Sequence, residues 1–447
     1  MAHRVDGGPS PPSFSPRPTQ RPAAIAPASV TRTNSSARLR SGRMYIVVFR
    51  GAVMLAEAGD TIAASVPVAI ETPRGLLVAS LRATGRPVYA INPLAVARYR
   101  ERHSVARSKS DHADAMTLAN ILRVDAHLHR RLPADSELCQ AIAILARAHQ
   151  DAIWRRTAAH HQLRSLLREF YPTFLAAFTG RFTLGIASPE ARAVLAIAPT
   201  PAAVAKLSLN RISAALRRAG RSRGITETAA EIKAGLRKPQ LHQPVLVENA
   251  MGKHALALLA VLDTACANVD ELGQASAELF QQHPDYARIT SFPGLADSTG
   301  ARVLAEIGDD RARFTDARAL KAYAGSAPVT RASGRSLSVT HRHIKNNRLA
   351  NVGWTWAFTA ATNCEPARQH YRQRREHGDR HAAATRNLFN KLLGQLYYCL
   401  QHHQTFDEAK AFPMPLCEAA GRSDSTPSRA RDVAAEHEQL MRRREAL

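Results

Sequence analysis

Carboxylates are scarce in this 447-residue chain: 37 Asp and Glu stand against 61 Lys and Arg, a net charge of +24 with histidine neutral. Such a balance excludes a protein indifferent to polyanions. Nucleic acid is the default partner, because each neutralised phosphate releases condensed counterions. Cysteine is scarce too, and the five residues Cys139, Cys266, Cys364, Cys399 and Cys417 include no C-x-x-C pair. That argues against a zinc ribbon and a disulfide framework, and it suits a reducing, cytoplasmic setting. Long apolar runs are missing as well. None approaches the ~18–20 residues that span a bilayer, so no membrane partner is expected. Aromatics make up 6% of the chain and hydrophobic residues 45%, so its cores are expected in helices rich in Ala and Leu.

The first 43 residues are rich in Pro, Ser and Arg, hold a single acid, Asp6, and lack an apolar signal region. They read as a disordered leader, with Met44 opening the first strand-like stretch. From Pro67 to Pro93 the pattern is strand, helix, strand: Val68-Ala69-Ile70 ending at Glu71, a helical run from Gly75 to Thr84, then Val88-Tyr89-Ala90-Ile91. A βαβ unit of this kind pairs its strands in parallel. Helices are expected from Leu94 to about Arg102, from Asp111 to Arg123, and over a long stretch from Ser136 to Phe170. On that long helix His149, Arg155, Arg156, Arg164 and Arg168 are read as the polar side, and a coiled-coil arm or a helix packed on its own domain both fit. Further helices with basic loops such as Arg217-Arg218-Ala219-Gly220-Arg221-Ser222-Arg223 fill 187–285. A C-terminal unit follows to Phe412, with Leu388, Leu392, Leu396 and Leu400 at i+4 spacing as a core stripe. The polar stretch beyond it reads as a tail.

Four groups of residues could carry chemistry. Glu71 ends a buried strand, where an open parallel sheet presents its ligand sites. Asp111 and Asp114, three apart at a helix start, project to one face, and together the three carboxylates could hold Mg²⁺ with waters and substrate phosphates. Asp residues near a helix start are more often caps. The second group is the turn Phe292-Pro293-Gly294-Leu295-Ala296-Asp297-Ser298-Thr299-Gly300, where Gly294 permits a tight bend and the next helix start offers N–H groups to a phosphate; an ordinary connector fits equally well. Third, Ser333 is followed by Gly334 and flanked by Arg331 and Arg335, with Arg342, Lys345 and Arg348 close behind. A serine hydroxyl needs activation to act as a nucleophile, and guanidinium groups can orient a phosphate beside it; a phosphate-contacting loop without chemistry is the simpler reading of the pattern alone. Last, Arg372, Arg374 and Arg375 lie in a dense basic stretch that would grip DNA. Six to ten such contacts weaken binding ~10³–10⁵-fold between 50 and 200 mM salt.

Five blocks appear in one order: PVAIETPRG (67–75), SKSDHADA (108–115), ITSFPGLADSTGARVLAEIGD (289–309), LKAYAGSAPVTRASGRS (320–336) and RNLFNKLLGQLYYCL (386–400). Together they resemble transposases of the one-hundred-ten class of insertion sequences, a family related to the pilin-gene invertases, over about Pro67 to Phe412. The resemblance implies an α/β N-terminal domain of RuvC-like (RNase H) fold over 44–135 with an acidic DEDD set binding Mg²⁺. It further implies a helical linker over 136–285, a helical C-terminal transposase domain over 286–412 with a hairpin-like DNA-binding turn, and a tail over 413–447. Matched by position, Glu71, Asp111 and Asp114 are metal ligands. By the same matching Ser333 would be the nucleophile, while the turn and the basic segments themselves lead us to expect DNA contacts from Gly294, Gly300, Arg331, Arg335, Arg342, Lys345, Arg348, Arg372, Arg374 and Arg375. The partners implied are DNA, an element-encoded guide RNA and further copies of the chain. The family's first Asp has no good counterpart. Asp60 lies only eleven residues before Glu71, too few for the three strands and helix expected between. The domain is therefore expected to be short of its first strands and one ligand. A DNA-binding remnant without chemistry, and a metal nuclease that does not use the serine, are the competing readings.

Overall fold

The computed structural model describes residues 66–83, 85–103, 110–180, 182 and 184–413, which divide into two compact units between Leu132 and Pro133. Expectations for the leader, for Asp60 with its missing strands, and for the tail beyond residue 413 fall outside the described residues.

In the first unit, strand β1 (Val68–Ile70) pairs in parallel with β2 (Val88–Ala90), Val68 opposite Val88. The connection is helix α1 (Leu76–Ala83), so the expected βαβ unit is present. Alternate strand residues face opposite sides. Val68, Ile70 and Val88 pack against Val78 and Leu81 of α1. Ala69 packs with Ile91 against Val96 of α2 (Pro93–His103) and Leu118, Ile121 and Leu122 of α3 (Asp111–Asp125). Parallel strands need this cover on both faces. Past β2 the sheet continues through an antiparallel bridge between Tyr89 and Arg131, and the Leu132 N–H donates to the Val88 carbonyl at 2.7 Å. The layering is consistent with a RuvC-like fold.

The second unit is built on α4 (Glu137–Phe170), 34 residues long. The Ser136 hydroxyl caps it by accepting the Cys139 N–H, and it ends at Tyr171-Pro172, since proline cannot continue a helical ladder. Five short helices follow: α5 (Pro172–Phe178), α6 (Pro189–Ile197), α7 (Pro201–Ala205), α8 (Leu209–Arg218) and α9 (Ile225–Leu236). The 37-residue α10 (Val245–Gln281) then returns antiparallel to α4. Gln243 meets the Glu169 carbonyl at one end, and Gly273 lies against the His149 ring at the other. Phe170, Phe174, Phe178, Ile212, Leu216 and Ile232 form the core of this module, with Leu163 from α4 and Leu259 from α10. By length and composition α10 is apolar enough to cross a membrane, the one such helix among the described residues, although Ala255, Leu259, Leu262 and Cys266 are buried in the protein.

The chain closes with α11 (Tyr286–Thr290), α12 (Asp297–Ile307), α13 (Ala317–Ala324), β3 (Val329–Ser333), β4 (Ser336–Thr340), α14 (Asn347–Asn363), α15 (Glu365–Glu376), α16 (His381–Gln401) and α17 (Glu408–Ala411). Their core surrounds Trp356 and includes Leu388, Leu392, Leu396 and Leu400, the stripe expected from sequence. Of the two readings of the long helix, packing on its own unit describes its start, because Cys139, Ile142 and Ala146 of α4 belong to the C-terminal core. Two expectations need correction. His149 is buried rather than solvent-facing, since its ring fills the space left by Gly273. The C-terminal domain is not wholly helical, since β3 and β4 form an antiparallel hairpin.

Candidate active site

Ser333 ends β3 and is the Cα partner of Ser336, across the two-residue turn Gly334-Arg335. Glycine is required at the turn because φ is +55° at Gly334, and glycine at the first central position suits a type II′ hairpin. The pairs Ser333–Ser336 and Arg331–Ser338 share one face, whereas Thr330–Val339 and Ala332–Leu337 share the other. One face therefore carries three serine hydroxyls and a guanidinium. The opposite face is apolar and exposed, with Leu337 69% and Val339 62% accessible. Arg331, Ser333 and Arg335 are all exposed, and among the described residues neither arginine has a carboxylate partner. Beyond β4, the His341 and His343 rings lie 4.2 Å apart, and the neighbouring His343 pushes the His341 pKa down.

Behind the hairpin a polar network fixes its exit. Asn346 caps α14 and donates to Glu306 and to the Tyr323 hydroxyl, both at 2.7 Å. Glu306 is buried and also accepts from Arg147 Nε at 2.8 Å. The Lys345 side chain runs over Gly325, where a Cβ would come within 2.1 Å of it, and its ammonium donates to the Arg342 carbonyl. Sequence reasoning missed this network; only the Asn346-Asn347 pair ahead of an apolar helical run hinted at a cap.

Several residues expected to contact DNA make contacts within the protein. Arg348 forms a two-oxygen ion pair with Asp151 on α4, at 2.8 and 3.1 Å, and lies over the Trp154 ring. Arg374 bonds the Asp379 carboxylate, Arg375 the Asp379 carbonyl, and Arg372 lies 3.9 Å from Glu365. Gly294, at φ +85°, sits where a Cβ would meet the Trp356 carbonyl and the Ala360 nitrogen at 2.8 Å. The Trp356 indole N–H donates to the Pro293 carbonyl. Gly300 is buried against the Phe280 ring. Asp297, at the start of α12, is bonded by Gln281 and Tyr286, and its negative charge opposes a phosphate there.

Of the acidic set, Glu71 follows β1 and is exposed, and Asp111 is exposed in the first turn of α3, behind the Ser110 cap. Asp114 is ion-paired to Arg100 of α2. Carboxylates suit Mg²⁺ by chemistry; among the described residues these three do not form a group with ligand atoms within 4.8 Å of one another. The trio that does gather is Cys139, His283 and Asp309. His283 Nδ1 accepts the Asp285 N–H, so the neutral ring carries its proton on Nε2, toward Asp309. Burial, reinforced by Asp135 and Asp309, pushes the Cys139 thiol up. Burial also tends to raise the Asp309 carboxyl, but donors from Ser136 and His283 hold it below the ordinary range. The trio is a hydrogen-bonded junction of α4, α10 and α12, and a protonated thiol beside an Nε2–H makes a poor cation site.

Comparison with known proteins fits an architecture that places a basic, serine-bearing hairpin on a helical scaffold. Residues 52–172 match a profile for the DEDD domain of IS110 transposases, and residues 286–373 match the transposase IS116/IS110/IS902 family. The mini-circle putative transposase for IS117 of Streptomyces coelicolor is 56% identical over 367 residues, 82% of this chain and 88% of the relative. An uncharacterised 43.6 kDa protein of insertion element IS110, also from S. coelicolor, is 26% identical over 68% of this chain and 73% of its own length. An uncharacterised 42 kDa protein of IS900 from Mycobacterium paratuberculosis is 27% identical, over 75% and 82% respectively. The class is thus that of transposases, proteins that in general cut and rejoin DNA. The chain belongs to the IS110 family of insertion elements.

Proposed function

We propose that this transposase cuts DNA with the Ser333 hydroxyl. The observation that carries the reading is the β3–β4 tip, where Ser333 shares an exposed face with Arg331 and sits next to Arg335. The hydroxyl oxygen attacks a backbone phosphorus and forms a serine phosphodiester, while the bond from phosphorus to the departing strand oxygen breaks. The serine gives up its proton, and the released strand end takes one. Arg331 and Arg335 hold the phosphate oxygens and offset the charge that develops on them. Rejoining reverses the step with an incoming strand hydroxyl.

Glu71, Asp111 and Asp114 are the carboxylates that would hold Mg²⁺, which stabilises charge on phosphate oxygens when bound. Asp114 would exchange its contact with Arg100 to take part. No part of the serine chemistry is routed through that site. The same reading takes DNA as substrate, with an element-encoded RNA and further copies of the chain as partners. The alternative of a remnant without chemistry is not favoured, because the family match includes residues 52–66 as well as the acidic set.

Denaturing gels of the full chain incubated with DNA carrying the element's ends test the proposal. The wild type should yield a covalent protein–DNA adduct, and Ser333→Ala should yield none while binding DNA within a few-fold of normal. An adduct that persists in Ser333→Ala would sink the assignment.

A further inference from the structure

The positive charge expected on the C-terminal helices is largely taken up by internal pairs, whereas an unneutralised concentration of it lies on the helical module between α4 and α10. Residues 206–238 hold nine Lys and Arg against two acids, Glu227 and Glu231. On α8, Ile212, Ser213, Ala215 and Leu216 are buried, while Arg211, Ala214, Arg217 and Arg218 are exposed. Arg211, Ala214 and Arg218 are spaced i, i+3, i+7 and share one face, with the small Ala214 leaving the backbone approachable between two guanidiniums. The turn into α9 adds exposed Arg223.

This turn is held in shape from inside. Arg221 reaches Glu190 at 3.6 Å, lies 5.9 Å over the Phe182 ring and donates to the Arg223 carbonyl. Arg221 is thus a positioning residue, and its neighbours are the ones presented to solvent. Among the described residues, none of Arg211, Arg217, Arg218 and Arg223 pairs with a carboxylate. Like charges packed this closely repel, and an external polyanion relieves that repulsion.

We infer that Arg211, Arg217, Arg218 and Arg223 form a second nucleic-acid contact, gripping a sugar-phosphate backbone away from the serine hairpin. The inference rests on the proposed action on DNA and extends it to a surface outside the hairpin. Along α4, the C-terminal core ends at Ala146 and the module's core starts at Ala159, a separation of about 20 Å at 1.5 Å per residue. The arginines and the hairpin thus belong to different cores, which suits contacts to different parts of one nucleic acid. The occupant is duplex DNA, the substrate of the proposed reaction, and a folded RNA that presents the same phosphates is an outcome of the test.

The test uses the full chain with Arg211, Arg217, Arg218 and Arg223 all changed to Ala, which keeps the exposed helix face helical. Binding is followed by fluorescence anisotropy across a KCl series, in separate arms with duplex DNA and a folded RNA. The slope of log affinity against log salt should fall by about 3–4 with the duplex. A fall confined to the RNA arm would overturn the assignment to DNA. The four-fold Lys variant should keep the wild-type slope. An independent readout is protection of these four arginines from phenylglyoxal in the wild-type complex, which needs no variant to fold. Unchanged slopes in both arms, or four arginines left unprotected while the wild type binds, would overturn the inference alone. Failure of the wild type to bind DNA at all would instead remove the proposed function beneath it.

Discussion

Ser333 and Ser336 face each other at the closed end of the β3–β4 hairpin, so the hydroxyl assigned to strand cleavage has a second hydroxyl and the Arg331 guanidinium on its own face. The hairpin turns its other, apolar face to solvent. A nucleophile placed this way is reached from outside rather than from a cleft, which suits a substrate as large and stiff as duplex DNA.

Gly294→Ala tests whether the turn before α12 is packed or grips phosphate. Its positive φ and the 2.8 Å approach to the α14 backbone predict destabilisation of about 1–3 kcal/mol, seen as an earlier urea midpoint. Under a phosphate-gripping role the midpoint would hold and DNA affinity would fall instead.

Arg348→Ala should leave the salt slope of DNA binding unchanged. It removes an ion pair and a ring contact between α14 and α4, together about 1 kcal/mol, with most expected from the stacking on Trp154. A slope reduced by about one would return Arg348 to the DNA-contacting set.

Ser136→Ala should weaken the protein by about 1 kcal/mol at neutral pH, through loss of the α4 cap and of a donor to Asp309. The Asp309 carboxyl is held below its ordinary value in the folded protein by the donors Ser136 and His283. Its contribution is therefore present above that value and is lost as pH falls through the folded pKa. The variant's deficit should shrink to the part owed to the cap as pH is lowered past that range, in urea unfolding at stepped pH. A deficit constant with pH would show that the cap alone matters.

The βαβ order, the 34-residue helix and the leucine stripe were legible because apolar spacing and proline stops act locally. The hairpin was hidden by composition: Val329 to Thr340 is mostly hydroxyl-bearing and basic, with too little apolar alternation to stand out. A Ser-Gly pair between runs rich in Val, Thr and Ser was the usable signal. The fate of the arginines was illegible for a different reason. Arg348 and Asp151 are far apart in sequence, as are Gly294 and Trp356, and only the tertiary fold decides which charges are internally paired. Composition recorded how much positive charge there was; where it remains unneutralised emerged from the packing.

One helix, α4, is anchored at its start in the core that carries the hairpin and at its end in the core that carries the basic module. At ~1.5 Å per residue it is a strut of ~51 Å, so a tilt of about one degree at one end swings the other by roughly 1 Å. Strain imposed by a nucleic acid at the distal helices would thus be felt at the nucleophile without any intervening messenger.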